Sequence, residues 1–351
     1  MNTFWKGSVD GKVRVLVTGV GGNVAQGVLK ALKHCGLASW VVGTDAHPLS
    51  PGLYLADRGY TVPMATDPDF FDSFSKIIRN EKIDLVFVGA DTETLPLAEM
   101  KERLEKATNA RILVNPAEIV RKCSDKWETA QLFACKDLPH PDTVLAEDRE
   151  GLEELIQRHG YPLIAKPRCG YASRGIMVVR NKEEAHAASM MLGKDGVIQK
   201  LVGTDETEFT ASIYSSAPGQ VDACIVLWRE LLQGTSYRVE SCLDSALMDE
   251  VKRWGQVIGS VGSLNFQFRV TENGPICFEI NPRISGTMGI RYHLGYNDVE
   301  MAIRQHCFGE TITQPTIRQG VVLRYWEELY LPDVSIDGLR EGMTAGDKAV
   351  G

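Results

Sequence analysis

The residues with the clearest chemical potential lie on two predicted strands joined by a tight turn. In the alternating segment 265–268, Asn265 and Gln267 share one face of a strand. On the next predicted strand, Glu279 and Asn281 are also two positions apart. Paired across a hairpin, Gln267, Glu279 and Asn281 would present oxygen atoms to one point, and oxygen is the ligand that Mg²⁺ prefers. We therefore predict a magnesium site here, with Mn²⁺ as an alternative ion.

The surroundings of this hairpin favour the metal interpretation. Arg283 follows Asn281 by two residues, where its charge would neutralise a phosphoryl group during transfer. Glu279 lies among apolar residues, and an unpaired carboxylate buried there would be costly. The alternative is a polar strand face that solvent satisfies.

Two lysines and a glycine-containing loop form a second group of candidates. Lys126 lies in a predicted helix, and Lys166 ends an apolar strand at a Lys-Pro pair. The loop 168–175 follows at once and contains two glycines together with Ser173 and Arg174. Lysine ammonium groups can contact nucleotide phosphates, and such a loop can close over a triphosphate with its amides and arginines. In isolation, a basic loop in solvent after a strand end is an equally good interpretation.

A weaker pattern predicts a place for the nucleoside. Gln199, Lys200, Leu201 and Val202 end and follow the next predicted strand, and Glu208 comes after a short polar loop. A backbone segment flanked by apolar residues can contact the edge of an adenine. A carboxylate further along can accept hydrogen bonds from ribose hydroxyls.

The elements that must position these residues follow two different patterns. Up to residue 114, short apolar strands alternate with helices, which predicts a doubly wound parallel sheet. Its predicted strands are 13–17, 40–44, 84–88 and 111–114, and its helices are 24–35, 69–80 and 93–106. From residue 117 a helical stretch to about 136 leads into an α+β region. Its predicted strands are 162–166, 176–179, 196–200, 207–215, 221–228, 264–270 and 275–280, with helices at 182–192, 244–259 and 297–308.

The first strand ends in a glycine-rich turn, residues 19–23, where amides and the dipole of the next helix can hold an anion. Val24 stands where a dinucleotide fingerprint has its last glycine, although Asp45 ends the second strand, as a ribose-binding acid would. A structural or anion-binding turn is therefore favoured over nicotinamide binding. Asp91 and Glu93 are candidates to hold a substrate amine, with helix-start acids as the favoured alternative.

Composition excludes several classes of function. The chain has 351 residues and a net charge of −8, which argues against nucleic acid or an anionic membrane as its main partner. No stretch approaches the ~20 apolar residues of a membrane span. Its 8 cysteines form no Cys-x-x-Cys pair, which is typical of reduced thiols in the cytoplasm.

Taken in order, these segments resemble the ATP-grasp superfamily, and within it the carbamoyl-phosphate-synthetase-like branch of carboxylate–amine ligases. The resemblance covers about residues 13–310. It rests on an αβ domain followed by Ser-Asp-Lys, Lys-Pro-Arg with its loop, Gln-Lys-Leu-Val, Asn-Phe-Gln-Phe and Phe-Glu-Ile-Asn-Pro-Arg. It implies an N-terminal doubly wound parallel sheet followed by a two-subdomain ATP-grasp fold. The implied domains are a pre-ATP-grasp αβ domain at 1–116, a lid subdomain at 117–195, a catalytic subdomain at 196–315 and a C-terminal β-rich segment at 316–351.

The resemblance also implies a role for each candidate. Lys126 and Lys166 would contact the α- and β-phosphates, and the 168–175 loop with Ser173 and Arg174 would cover them. The remaining roles are adenine binding by Gln199, Lys200, Leu201 and Val202, ribose binding by Glu208, magnesium binding by Gln267, Glu279 and Asn281, and γ-phosphate neutralisation by Arg283. Arg291, further along, either binds a substrate carboxylate or caps the next helix at the surface.

The implied activity is an ATP- and Mg²⁺-dependent ligase that activates a carboxylate as an acyl phosphate and joins it to an amine. Its partners would be small-molecule carboxylates and amines, and a homodimer is compatible with it. Gln267 stands where many relatives have an acid, and the chain is too short for the paired units of a carbamoyl-phosphate enzyme. The alternatives are a nicotinamide-dependent dehydrogenase and a non-catalytic ATP-binding module.

Overall fold

The computed structural model describes residues 13–170 and 175–340. They form three sheets with helices packed against them. In the described part of the chain, no helix is both long and apolar enough to cross a membrane.

The first sheet is parallel, with the strand order β3-β2-β1-β4-β5. Its elements are β1 (Val13–Thr18), α1 (Asn23–Cys35), β2 (Ala38–Asp45), α2 (Gly52–Leu55), β3 (Arg58–Thr61), α3 (Phe70–Asn80), β4 (Leu85–Phe87), α4 (Asp91–Thr108) and β5 (Arg111–Leu113). Buried apolar clusters lie on both faces of this sheet, because β1 directs Val15 to one and Leu16 to the other. The doubly wound sheet is confirmed. The short strand β3 escaped prediction because its sequence, Arg-Gly-Tyr-Thr, contains only one large apolar side chain.

The second sheet has four antiparallel strands in the order β6-β9-β7-β8. Its region contains α5 (Ala117–Ser124), α6 (Lys126–Cys135), β6 (Thr143–Leu145), α7 (Arg149–His159), β7 (Leu163–Pro167), β8 (Met177–Val179), α8 (Lys182–Leu192) and β9 (Gly196–Lys200). The single helical stretch predicted to about residue 136 is two helices. Asp125 adopts an extended conformation between them and caps the second.

The third sheet has six antiparallel strands in the order β14-β13-β10-β11-β12-β15. Its elements are β10 (Glu208–Ala217), β11 (Gln220–Leu232), β12 (Thr235–Cys242), α9 (Ser245–Ile258), β13 (Gly262–Thr271), β14 (Gly274–Asn281), α10 (Met288–Arg291), α11 (Asp298–Phe308), β15 (Val321–Leu323) and α12 (Ile336–Arg340). The predicted α+β region and its last hairpin are therefore present.

A shared core joins the first sheet to the third. Val28 of α1 packs in the same buried cluster as Met288 and Ile303. Gly27 permits this contact, because a Cβ atom on it would lie 2.7 Å from the backbone nitrogen of Gly289. The short helix α10 is consequently pressed against α1, and the chain that follows the predicted metal strand is held beside the first sheet.

Candidate active site

The start of α6 is fixed to the end of β7, and this places two lysines side by side. Asp125 accepts hydrogen bonds from the amides of Trp127 and Glu128 at the start of α6. Its carboxylate also binds the guanidinium of Arg168, with Nη2 at 2.7 Å from Oδ2. The amide of Lys126 donates to the carbonyl of Arg168 at 2.9 Å. Asp125 therefore ties the helix that carries Lys126 to the strand that carries Lys166.

Both lysines are buried beside a single carboxylate. Lys126 is 7% exposed and its Nζ lies 3.8 Å from Oε2 of Glu279. Lys166 is 3% exposed, and its Nζ donates to the carbonyl of Phe278 at 3.4 Å. Burial, followed by the charge of Lys126, lowers the pKa of Lys166 to about 7, while Glu279 acts in the opposite direction. The site thus has more positive than negative groups, an arrangement that favours a bound anion.

The hairpin of β13 and β14 aligns the predicted metal ligands. Gln267 lies opposite Glu279, and Asn265 lies opposite Asn281. The register shifts just beyond Gln267, so that Phe278 is an extra residue on β14. This bulge is where the carbonyl of Phe278 accepts from Lys166.

Two of the three predicted ligands are suited to bind a magnesium ion as they stand. Glu279 supplies a partly exposed carboxylate, and Asn281 an amide oxygen, which with phosphates and water is a normal Mg²⁺ shell. Gln267 differs, because its Oε1 accepts from Nη2 of Arg229 at 2.7 Å while its Nε2 donates to Glu279 at 2.9 Å. Its oxygen would reach a metal beside Glu279 only if the amide rotated and gave up Arg229. No group of three or more His, Cys, Asp or Glu side chains suited to a metal occurs in residues 13–170 and 175–340.

Glu208, expected to bind ribose, lies instead in a saturated ion-pair cluster. Its Oε1 accepts two hydrogen bonds from Arg229, at 3.1 and 2.7 Å, and its Oε2 accepts two from Arg269, at 3.1 and 2.8 Å. A carboxylate has about four lone-pair positions, and all are occupied. A ribose hydroxyl could bind Glu208 only by displacing an arginine, so the structure argues against the expected role.

Arg283 is engaged in a contact between the first and third sheets. Its Nε and Nη2 donate to the two carboxylate oxygens of Asp91 at 2.7 and 2.8 Å, and Nη2 also donates to Asn281 at 3.0 Å. The bidentate pair occupies both the arginine expected at a γ-phosphate and the acid considered for a substrate amine. Either residue becomes available only if this pair opens.

The segment expected to hold adenine is partly buried. Gln199 is 1% exposed and donates to Thr143 at 2.8 Å, while its Oε1 has no hydrogen-bond partner. Lys200 is exposed, Leu201 is half-buried and Val202 is buried. The carbonyl of Val202 accepts from Arg269 at 3.3 Å, so this segment adjoins the Glu208 cluster. Ser173 and Arg174 lie outside the described residues.

Arg291 is neither a substrate ligand nor a surface cap. It is 0% exposed and forms a bidentate pair with Asp298, which is also 0% exposed, at 3.0 and 2.7 Å. Its Nη1 donates to Ser285 and to Thr287, each at 2.9 Å. The residue therefore holds α10 to α11 from within the core, and both sequence expectations for it were wrong.

β1 and β4 end side by side at the switch point of the doubly wound sheet, a position at which ligands commonly bind. Thr18 donates a hydrogen bond to the buried Glu93. Burial is the main cause that raises the pKa of Glu93 to about 7, and the charge of Asp45 adds to it. Asp45 itself accepts from the amide of Gly21 at 2.7 Å, so this glycine-rich turn holds a carboxylate of its own chain.

Sequence reasoning missed Arg229, which lies on β11 and binds both Glu208 and Gln267. It placed Arg168 in the loop expected to cover the phosphates and missed the bond of Arg168 to Asp125. Arginines in amphipathic strands are common at surfaces, and no spacing rule relates them to acids tens of residues away. The available signal for Arg229 was the apolar run 223–227 of β11, which is buried throughout and ends two positions before it.

Two family models match the chain. The ATP-grasp domain matches residues 123–287, and the PylC-like N-terminal domain matches residues 15–112. The large chain of carbamoyl phosphate synthase from Pyrococcus furiosus is 24% identical over 301 residues, which are 78% of this chain and 28% of that protein. The large chain from Deinococcus radiodurans is 23% identical, over 92% of this chain and 33% of that one. This chain thus spans about a third of the length of these relatives.

Solved structures share the fold at low sequence identity. The N5-carboxyaminoimidazole synthetase of Staphylococcus aureus, complexed with ADP, has a TM-score of 0.70 and 15% identity, and the match covers 90% of this chain and 81% of that one. The biotin carboxylase domain dimer of Hydrogenobacter thermophilus 2-oxoglutarate carboxylase, in complex with MgADP and bicarbonate, has a TM-score of 0.67 and 17% identity. That match covers 88% of this chain and 73% of the other.

Proposed function

With an ATP-grasp domain behind a PylC-like N-terminal domain, the chain belongs to the ATP-grasp superfamily, and we propose that it is an ATP- and Mg²⁺-dependent carboxylate–amine ligase. The observation that carries the proposal is the pair of buried lysines around Glu279, where positive charge exceeds negative charge. A polyphosphate is the kind of ligand that such a site stabilises.

In the proposed reaction, an oxygen of the substrate carboxylate attacks the γ-phosphorus of ATP, and the bond to the bridging oxygen breaks to release ADP. The amine then attacks the acyl phosphate, phosphate leaves, and a C–N bond remains. Lys126 and Lys166 would neutralise and orient the phosphates, which is the main contribution a protein makes to phosphoryl transfer. Mg²⁺ held by Glu279 and Asn281 would supply further charge neutralisation at the phosphates. We retain Ser173 and Arg174 as covering residues, and residues 199–202 as the adenine segment.

We place the carboxylate and amine substrates beside the ends of β1 and β4, at the switch point of the first sheet. The contact between Arg283 and Asp91 joins this position to the metal strand, so both substrates would meet the phosphates there. Opening of that pair on substrate binding would free a guanidinium for the transferring phosphoryl group and a carboxylate for the amine. A homodimer and a cytoplasmic location with free thiols are parts of the same proposal.

The test is a screen for ADP release with Mg²⁺ over panels of carboxylates and amines. With an active pair, Glu279→Ala should lose at least about 100-fold in kcat/KM, which corresponds to about 3 kcal/mol. Lys166→Ala should weaken nucleotide binding measured by titration calorimetry. The matched controls are Glu272→Ala in the turn of the same hairpin and Lys194→Ala, both exposed residues. Full activity and full nucleotide affinity in both site variants would contradict the assignment.

The competing functions predict other outcomes. A non-catalytic module is favoured by the bond between Gln267 and Arg229, which withholds one expected metal ligand. It would bind nucleotide and release no ADP with any substrate pair. A dehydrogenase would bind a nicotinamide cofactor at the glycine-rich turn, but the amide of Gly21 and the carboxylate of Asp45 are already bonded to each other.

A further inference from the structure

A second cationic site lies at the edge of the first sheet, apart from the two lysines. A cavity of about 90 Å³ opens where β5 meets α11 and the start of β13. Four basic residues line it, namely Lys101, Arg111, Arg283 and His306. Among the described residues that line it, none is an aspartate or a glutamate. Since Arg283 is bound to Asp91, three bases from α4, β5 and α11 remain.

Neither of the two strong bases, Lys101 and Arg111, is paired with an acid at contact distance in the described part of the chain. Lys101 donates to the carbonyl of Val114 at 3.1 Å, which is a neutral partner. The carboxylate of Glu105, one helical turn from Lys101, accepts from the amide of Ile112 at 2.9 Å. Arg111 is exposed, so solvent and small solutes can reach the cavity.

The ionisation of His306 reflects the same excess of positive charge. Burial is the main cause that lowers the pKa of His306 to about 4, and the charges of Arg111 and Lys101 lower it further. Burial also lowers the pKa of Lys101; Glu105 opposes this effect and Arg111 adds to it. A negative ion in the cavity would relieve the repulsion among these groups.

We propose that this cavity binds one small oxyanion of the phosphate or carboxylate class, held by the guanidinium of Arg111 and the ammonium of Lys101. A guanidinium matches two oxygens of such an anion at once, and an ammonium adds a point charge. The cavity has room for several water molecules, which a phosphate-sized ion would replace. Its walls come from the first sheet and from the third, so the ion stabilises the contact between them. The inference does not depend on the ligase activity.

The test follows thermal unfolding of the full chain as inorganic phosphate is raised at constant ionic strength with chloride, and titration calorimetry measures the same binding directly. The same titration with succinate tests whether a carboxylate binds at this cavity as well. A specific site gives a rise in Tm that saturates with concentration, unlike the general effect of salts on stability. Arg111→Gln should weaken the affinity by about tenfold or more, since a charged hydrogen bond contributes about 1.5–3 kcal/mol. Lys101→Gln is the second variant and should act in the same direction.

Two further variants make the result specific. Lys106→Gln removes an exposed lysine from the same helix, outside the cavity, and should leave the affinity unchanged. Lys166→Met removes a cation from the proposed nucleotide site and should also leave it unchanged. The proposal is overturned if the wild type shows no saturable binding, if Arg111→Gln matches Lys106→Gln, or if Lys166→Met abolishes the effect. The last result would place the anion at the nucleotide site. A failed ADP-release screen would contradict the proposed ligase activity and would leave this anion site unaffected.

Discussion

Two clusters of charged side chains lie close together in the ATP-grasp part of the molecule, and they are balanced differently. Around Glu279, two buried lysines lie beside one carboxylate; Lys126 contacts it loosely, at 3.8 Å, and Lys166 is bonded instead to the carbonyl of Phe278. Around Glu208, two arginines fill every acceptor position of the carboxylate at hydrogen-bond distances. The Glu208 cluster is balanced in charge, because Arg269 also pairs with Asp205 at 2.5 Å, whereas two lysines lie beside the single carboxylate of Glu279.

The two clusters also differ in how fully their hydrogen-bond donors and acceptors are satisfied. The rigid, planar guanidinium groups of two arginines can occupy all the acceptor positions of one carboxylate. A buried cluster whose hydrogen bonds are all made in this way stabilises the folded chain. Lysine ammonium groups have three donors each, and Lys166 uses one of them in a hydrogen bond to the carbonyl of Phe278, over whose ring it also lies, at 5.3 Å from the centroid. Donors left unsatisfied in a buried position are costly unless a ligand completes them. We therefore infer that the Glu279 cluster is built for a ligand and the Glu208 cluster for stability.

The largest expected effect tests the saturated cluster. Glu208→Ala removes the acid bound to the buried Arg229 and one of the two acids bound to Arg269, so the free energy of unfolding should fall by about 3–5 kcal/mol. Urea denaturation measures it. The matched control is Glu230→Ala, which breaks an exposed ion pair with Arg238 on the neighbouring strand and should cost less than about 1 kcal/mol. Equal losses in the two variants would remove the structural role assigned to Glu208.

A smaller effect of opposite sign is expected at the lysines. Lys166→Met removes a buried ammonium that the fold satisfies poorly, so the free energy of unfolding at pH 7 should rise by about 2 kcal/mol. Urea denaturation of both proteins tests this directly. A loss of stability comparable to that in Glu208→Ala would show that Lys166 is structural.

The dependence of stability on pH tests independently whether the buried Lys166 ammonium destabilises the folded chain. The pKa of Lys166 is about 7 in the folded chain and 10.5 ordinarily, so between these values the unfolded chain binds the extra proton. Wild-type stability should therefore rise with pH across that window, by at most about 1.4 kcal/mol per pH unit, and Lys166→Met should lose this slope.

The smallest expected effect is the uptake of a fraction of a proton when the nucleotide binds. At pH 7 Lys166 is about half protonated, and bound phosphates would raise its pKa, so nucleotide binding should take up at most about half a proton. Calorimetry in two buffers of different ionisation enthalpy measures this uptake. Lys166→Met should abolish it, and Lys194→Ala should preserve it. An uptake that persists in Lys166→Met would assign the proton to another group.

Local patterns predicted the elements well where their apolar residues were regular. The strands 84–88 and 196–200 and the helix 182–192 agree with β4, β9 and α8. The short or weakly apolar strands β3, β6 and β12 were not predicted, because few apolar side chains mark them. The helix α7 was missed although Leu152, Leu155 and Ile156 follow helical spacing. The cross-strand pairing of Gln267 with Glu279 followed from strand alternation and the Glu-Asn-Gly turn.

The sequence alone determined the alternation that places Gln267, Glu279 and Asn281 on one face, and the order of motifs that marks an ATP-grasp chain. The alternation depends on neighbouring residues, and each motif is a short run of consecutive residues that can be recognised without the fold. Only the tertiary structure decided which charges were already satisfied. Arg229 takes the oxygen of Gln267, Asp91 binds Arg283 from 192 positions away, and Asp298 neutralises Arg291 in the core. Hydrogen bonds form over about 3 Å in space, between residues whose separation along the sequence can have any value. Whether a candidate side chain is still available to bind a ligand is therefore known only once the chain is folded.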